Sequence, residues 1–206
     1  MNVLLINGSP NKNGCTYTAL CEVKGQLDKQ DIETNIFHIG NKPIRGCLNC
    51  GKCTESGYCT FNDDLVNECI DLAKKADGIV IGSPVYYAAP NGALCAFLDR
   101  MFFNKSTGYA YKPAAAIVNC RRGGASAAFD RLNKYFTISS MPIVSSQYWN
   151  STHGFTPEEV KQDLEGLQTM RTLGKNMAWL LRCIDASKDI VPYPEKEELI
   201  RTNFIR

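Results

Sequence analysis

Four of the chain's ten cysteines fall within thirteen positions, at Cys47, Cys50, Cys53 and Cys59 of the segment GCLNCGKCTESGYC. The spacing CxxCxxCxxxxxC lets three thiolates curl around one centre from a tight loop while Cys59 closes from beyond Gly57. Iron–sulfur ligand runs share that CxxCxxC core. Zinc sites more often pair two separated CxxC or His elements, and cysteines this close crowd one tetrahedral ion. A disulfide is weaker still in a reducing compartment. A cysteine-rich loop that only shapes a neighbouring pocket is the remaining alternative.

Three further segments carry polar or aromatic groups in a form that suits a ligand. In NGSPNKNGCT, residues 7–16, Ser9 and Thr16 supply hydroxyls and Asn11 and Asn13 amides, and the chain passes through Gly14 and Cys15 into a helix. The backbone N–H groups of such a helix start form a nest for phosphate. No Gly-Lys-Ser/Thr closes the loop and no GxGxxG spacing is present. Position 21 is Cys21, which excludes a Cys-x5-Arg phosphatase loop. A polar turn before a capped helix is the plainer alternative.

In GSPVYYAAPNG, residues 82–92, Val85, Tyr86 and Tyr87 sit between Pro84 and Pro90. Exposed there, they can lie along a flat ring system; tucked under a helix, they are core. In NCRRGGAS, residues 119–126, Gly123 and Gly124 let backbone approach a ligand while Arg121 or Arg122 offers positive charge. The alternative is a glycine turn beside surface arginines.

The elements that must position these segments follow from hydrophobic period. NVLLIN (2–7) is a continuous apolar run of strand length, the mark of a strand covered on both faces. A helix over 16–27, an alternating strand over 32–39 and, after the cysteine segment, a helix over 63–76 capped by Asp63 come next. Then come strand 78–83, helix 91–103, strand 114–118, helix 126–136 and a fifth strand over 142–146. A last helix opens at Thr156, with Pro157 and Glu159 completing a capping box, and runs to Ile184 with Val160, Leu164, Leu167, Met177 and Leu181 on its apolar stripe. Alternating strands and helices predict an α/β fold, a doubly wound five-stranded parallel sheet with helices on both faces. Its ligands bind beyond the carboxyl ends of the strands, where the loops after strands one, three and four converge.

One domain is expected over 1–184, with the cysteine-rich insertion at 43–60, followed by a surface or interface tail over 185–206. The tally of 23 Lys plus Arg against 21 Asp plus Glu gives no broad footprint for nucleic acid or an anionic membrane. The partner expected is a small molecule. The opening MNVLLINGSP is too short in its apolar run for a signal peptide or a membrane span, so a cytoplasmic location is expected. Cys21, Cys69, Cys95 and Cys183 fall on apolar helix faces and are expected in the core. Cys120 is unassigned, His38 is expected to be structural, and His153 is more simply a surface hydrogen-bonding residue than a catalytic one.

Taken in order, GSPNKNGCT, GSPVYYAAPNGALCAFLDR and NCRRGGA resemble the flavodoxin-like NAD(P)H-dependent FMN reductases over nearly the whole chain. The resemblance implies FMN, with NAD(P)H as electron donor. It puts the FMN phosphate in the first loop, on Ser9, Asn11, Asn13, Gly14, Cys15 and Thr16. Cys15 stands where an asparagine is common and is expected to serve through its N–H. Pro84, Val85, Tyr86 and Tyr87 are implied against the isoalloxazine. Asn119, Arg121, Gly123 and Gly124 are implied near its pyrimidine edge, with Arg121 and Tyr86 tuning it.

The cysteine run resembles the compact motif of the iron–sulfur flavoproteins, a branch of the same family. That likeness implies a [4Fe–4S] cluster on Cys47, Cys50, Cys53 and Cys59. SQYWNSTHG (146–154) looks like a segment that borders the flavin at a subunit interface, implying a homodimer or homotetramer with Trp149 and His153 over a partner's flavin. The implied activity takes electrons from NAD(P)H, or from ferredoxin, to a quinone-like or other small acceptor. Two alternatives stand beside it. One is an electron carrier that exchanges single electrons with ferredoxin; the other is a cysteine-based redox or metal sensor without flavin.

Overall fold

The computed structural model describes residues 1–103, 108–195, 197, 198, 200, 202 and 204. The expected tail therefore lies partly outside the described residues. Along the chain run β1 (Asn2–Asn7), α1 (Cys15–Asp28), β2 (Glu33–His38), α2 (Cys53–Ser56), α3 (Val66–Lys75) and β3 (Gly78–Tyr86). They are followed by β4 (Ala89–Pro90), α4 (Gly92–Phe103), β5 (Ala114–Cys120), α5 (Ala125–Ile138), β6 (Ser151–His153), α6 (Pro157–Val160) and α7 (Leu164–Ser187).

Five strands pair in parallel in the order β2-β1-β3-β5-β6, while β4 pairs antiparallel with the end of β3. Side-chain alternation sorts the strand residues into two cores. Val3, Leu5, Val80, Ala115 and Ile117 point to α1 and α7, where they meet Leu20, Val23, Leu173 and Met177. Leu4, Ile6, Ile79, Ile81, Ala116 and Val118 point to α3, α4 and α5, against Ile70, Phe97, Leu98, Leu132 and Phe136. Coverage of both faces explains why β1, β3 and β5 carry no alternation in polarity. Each such Leu, Ile or Phe contributes roughly 1.5–3 kcal/mol by leaving water.

α7 crosses α1 at close range. A Cβ on Gly174 would stand 2.7 Å from Gln26 Cβ and 2.9 Å from the Val23 carbonyl, so only glycine lets the two backbones approach this far. Arg171 pairs with Glu22 across the same crossing at 3.3 Å. Beyond α7, Tyr193 stacks on Tyr111 with centroids 4.9 Å apart.

Several boundaries differ from the sequence expectation, each for a local reason. The fifth strand is split: Ile143 makes a single bridge to Ala114, and regular pairing with β5 resumes only at Ser151–His153. Between them Asn150, 1% exposed, turns its amide inward to the Ala116 carbonyl, so 145–150 leaves the ladder. The last helix breaks at 161–163, because Asp163 caps α7 by accepting from the Gly166 N–H at 2.9 Å. Leu164, expected in the apolar stripe, is exposed as a result. Asp63 does not cap α3; Asp64 accepts from the Val66 N–H at 3.1 Å, and Asp63 turns to Arg45. Thr156 does accept from the Glu159 N–H, while Glu159 accepts from Phe155 rather than from the cap residue. Of the four cysteines expected in the core, Cys69 is buried, Cys21 and Cys95 are half-buried and Cys183 is exposed. Among the described residues no helix is long and apolar enough to cross a membrane.

Candidate functional site

The loop after β1 is held from inside by side chains that end neighbouring strands. Asn7, fully buried, accepts from the Ser9 N–H at 3.1 Å and donates its amide to the Lys12 carbonyl at 3.0 Å. Ser9 Oγ in turn accepts from the Asn11 N–H at 3.1 Å. His38, from the end of β2, sets Nε2 2.8 Å from the Ser9 carbonyl. A carbonyl only accepts, so that ring nitrogen carries the proton. Asn91 donates to the Gly8 carbonyl at 2.8 Å, receives the Ala93 N–H on its Oδ1, and places its own N–H on Ser83 Oγ. It therefore ties the first loop to β3 and caps α4 at once.

What the loop leaves open is its far side. α1 begins at Cys15 with Gly14 as its cap residue and no side-chain cap. The first-turn N–H groups of a helix lack intrahelical partners. Thr16, the second residue of this helix and 1% exposed, has a buried hydroxyl with no hydrogen-bond partner. Asn11 and Asn13 are exposed, and Cys15 is half-buried. Burial pushes the Cys15 thiol up, and Glu159 and Glu158 add to that push. The sulfur is thus a neutral group beside an uncapped helix start.

The second segment is more regular than its sequence suggests. β3 continues through Pro84 and Val85 to Tyr86, turns at Tyr87 and Ala88, and returns as β4. Tyr87 and Ala88 have φ of 50° and 59°, the sign pattern of a two-residue hairpin turn built here without glycine. Non-glycine residues adopt that region at a cost of about 1–3 kcal/mol each, and such strain concentrates at functional sites. The hairpin holds Tyr86 half in solvent and Tyr87 wholly in it.

The third segment packs on the hairpin. Gly124 has φ 87°, and a Cβ there would stand 2.7 Å from Ala88 Cα and 3.2 Å from Val85 Cγ1. Asn119 is buried and directs its amide to the Thr152 carbonyl and hydroxyl, both at 3.1 Å, which pins β6. Arg121, Arg122 and Gly123 are exposed. Arg121 borders an open groove with Phe155 and Glu159. Burial raises the Cys120 thiol, opposed by the N–H groups of Arg122 and Ala125. The three expected loops thus meet at one end of the sheet, joined through Asn91–Gly8 on one side and Ala88–Gly124 on the other.

Beside them lies a second cleft, bordered by Tyr148, Trp149, His153 and Asp163. His153 is half exposed. Its N–H donates to Asp163 Oδ2 at 2.6 Å, and its Nδ1 lies 3.5 Å from the same oxygen.

Cys47, Cys50, Cys53 and Cys59 line one small cavity, with Phe61, Arg100 and Phe103 on its other walls. The strap that carries them turns at positive φ at Asn49, Gly51 and Gly57, which bends the chain around that cavity. Cys47 and Cys50 are exposed, Cys53 opens α2 and is buried, and Cys59 is half-buried. Burial raises the Cys53 thiol, and the proximity of Cys47, Cys50 and Cys59 raises it further. Among the described residues no three His, Cys, Asp or Glu side chains gather tightly enough to hold a metal ion.

Two helices fix the far end of the strap. Asn67 of α3 accepts the Cys59 N–H at 2.8 Å and donates to the Cys59 carbonyl at 2.9 Å. Arg100 of α4, 2% exposed, forms a two-pronged pair with Asp64 and sets Nε 3.2 Å from Cys59 Sγ. Burial works against its charge, but Asp64 and Cys59 outweigh that, so its proton is held more firmly than usual.

Asn7, His38, Asn67, Asn91 and Arg100 do not stand out as site residues from spacing alone. The one available signal is position: Asn7 and His38 end strands, and Arg100 falls among Phe97, Leu98 and Met101 on an apolar helix face.

Comparison with known proteins matches this arrangement. The family model described as NADPH-dependent FMN reductase covers residues 1–156. An iron–sulfur flavoprotein of Methanocaldococcus jannaschii is 32% identical over 197 residues, spanning 89% of this chain and 99% of that one. Among solved structures, a flavodoxin from the domain Archaea aligns with TM-score 0.61 at 13% identity over 88% of this chain and 99% of that one. An NAD(P)H:(acceptor) oxidoreductase from Paracoccus denitrificans aligns with TM-score 0.63 at 16% identity, over 88% and 97% of the two chains. The fold is flavodoxin-like, and with its curated relatives named as iron–sulfur flavoproteins the chain belongs to the NADPH-dependent FMN reductase family.

Proposed function

We infer that the chain is an FMN-dependent oxidoreductase that takes electrons from NAD(P)H and passes them to a quinone-like or other small acceptor. The observation that carries the reading is the Thr16 hydroxyl, buried and without a partner at the uncapped start of α1. A buried hydroxyl left unpaired is destabilising by about 1–3 kcal/mol, and an anion seated on the helix start removes that penalty. A phosphate fits the surroundings: Ser9, Asn11, Asn13, Gly14 and Cys15 are the other groups that would hold it, Cys15 through its N–H.

The flavin ring would lie against Pro84, Val85, Tyr86 and Tyr87. Arg121, Gly123, Gly124 and Asn119 would border its pyrimidine edge, Asn119 through what its Thr152 bonds leave free. When bound, FMN supplies hydride acceptance from NAD(P)H and onward electron transfer. The chain's own part is to bind and orient. The strained hairpin fixes Tyr86 and Tyr87 at the mouth, Arg121 brings positive charge to the groove, and Trp149 and His153 would cover the flavin of a second copy in a homodimer or homotetramer.

Cys47, Cys50, Cys53 and Cys59 would hold a [4Fe–4S] cluster. The support is that all four line one cavity on a strap bent by three left-handed residues. Four cysteines on one CxxCxxC strap suit an iron–sulfur cube better than zinc, whose sites more often pair two separated CxxC or His elements. The exposure of Cys47 and Cys50 favours a second reading, an electron carrier that exchanges electrons with ferredoxin through a cluster near the surface.

Anaerobic reconstitution with FMN, iron and sulfide, followed by NADH and NADPH oxidation with a quinone, tests the reading. Turnover supports the reductase, whereas negligible turnover with electron uptake from reduced ferredoxin selects the carrier. Failure to retain FMN at micromolar concentration overturns both.

A further inference from the structure

Among the described residues Arg100 is the largest fully buried side chain. A guanidinium has five N–H donors, and each must be met when it is buried. Four go to oxygen: Nη1 to Asp64 and the Arg45 carbonyl, Nη2 to Asp64 and the Phe61 carbonyl. The fifth, on Nε, faces Cys59 Sγ at 3.2 Å. Asn67 already holds both backbone groups of Cys59, which leaves the thiol as that residue's one polar group for Arg100 to orient. The same thiol lines the cavity shared with Cys47, Cys50 and Cys53.

The geometry points to Arg100 as a positioning residue for the cluster, its Nε–H aiming Cys59 as the fourth ligand and raising the cluster's reduction potential. This rests on the cluster reading above. An N–H directed at a ligand sulfur stabilises the more negative, reduced cluster more than the oxidised one. Asp64 neutralises the guanidinium charge, so the effect acts through the Nε–H dipole at short range. Lysine at this position keeps the cation but has three donors on a point charge, too few to satisfy Asp64, two carbonyls and the sulfur together.

The test uses the full chain loaded anaerobically with FMN and cluster. In the wild type, arginine labelled with 15N in the guanidino group is expected to give a weak hyperfine coupling to the reduced cluster by pulsed electron paramagnetic resonance. Arg100→Lys is expected to take up iron but to show a more negative cluster midpoint and to lose iron to a chelator about tenfold faster, the scale of an outer-shell change. Its FMN midpoint and FMN affinity should not move, which separates positioning from general unfolding. No 15N coupling in the wild type overturns the inference, as does a variant midpoint equal to that of the wild type. If Arg100→Lys does not fold, the wild-type coupling decides alone. Wild-type protein that holds FMN but no iron removes the cluster reading, and the inference falls with it.

Discussion

The Asn91 side chain reaches across 83 positions of sequence to donate its amide to the Gly8 carbonyl at 2.8 Å. The start of α4 and the first loop are therefore one mechanical unit, with Ser83 Oγ between them. Asn91→Ala leaves a buried carbonyl unpaired and uncaps α4. It is expected to lower the unfolding free energy by about 1–3 kcal/mol, read by urea denaturation, and to weaken FMN binding in a fluorescence titration. Unchanged FMN affinity would show that the loop holds its shape without this tie.

Thr16→Val keeps the methyl group and removes the unpartnered hydroxyl. Without FMN the variant should melt at or above the wild-type temperature, because a buried polar atom without a partner is gone. Its FMN dissociation constant should rise by about 10- to 100-fold, the worth of a hydrogen bond to a charged group. Equal affinity would place the phosphate elsewhere.

Gly124→Ala meets two obstacles, the φ of 87° and the Ala88 backbone 2.7 Å from the new Cβ. A loss of about 1–3 kcal/mol in thermal or urea unfolding is expected, together with a displaced Tyr86–Tyr87 turn seen as altered quenching of bound flavin. A stable variant with native flavin fluorescence would contradict the packing described.

Stability should fall as pH rises above 9.0, the ordinary value for a free thiol. Burial pushes the Cys69 thiol well above that value, and burial raises Cys21 and Cys95 as well. Above pH 9.0 the unfolded chain has released protons that the folded chain keeps, so the unfolded state binds fewer and stability declines. Below pH 9.0 this contribution is present in full. Melting temperature against pH should therefore be flat through neutrality and bend downward beyond 9.0, and Cys69→Ala should bend less steeply. An equal slope in the variant would assign the alkaline loss to other groups.

Cys50→Ser removes one exposed thiol from the strap without touching the loops after β1, β3 and β5. Iron content after anaerobic reconstitution should drop to near background while the flavin bands persist. Full iron retention would exclude Cys50 as a ligand.

The sheet was legible because β1, β3 and β5 are buried on both faces and so leave unbroken apolar runs in the sequence. Strand five was not, because Ile143 and Val144 carry the apolar signal while the regular ladder is made by Ser151–His153, held by the buried amides of Asn119 and Asn150. Hydrogen bonding over long sequence separations leaves no period to read. The loops that gather at the strand ends could be read because their composition is local: hydroxyls, glycines and aromatics in short runs. Asn7 and Asn91 could not be assigned a role, and His38, expected to be structural, could not be matched to its partner, the Ser9 carbonyl 29 positions away. Arg100 carried a readable contradiction, a full charge on an apolar helix face, whose resolution by Asp64 and Cys59 depends on contacts 36 and 41 positions away.

The glycine crossing of α7 over α1 has a consequence in time. α1 presents the helix start proposed above to seat the FMN phosphate, and its inner face is buried by Leu173 and Met177 of α7. While the chain is still emerging from the ribosome, α1 has no lid on that face until residues 164–187 have been made. On the FMN reading proposed above, cofactor loading waits for α7, and nascent chains halted ahead of α7 should stay colourless.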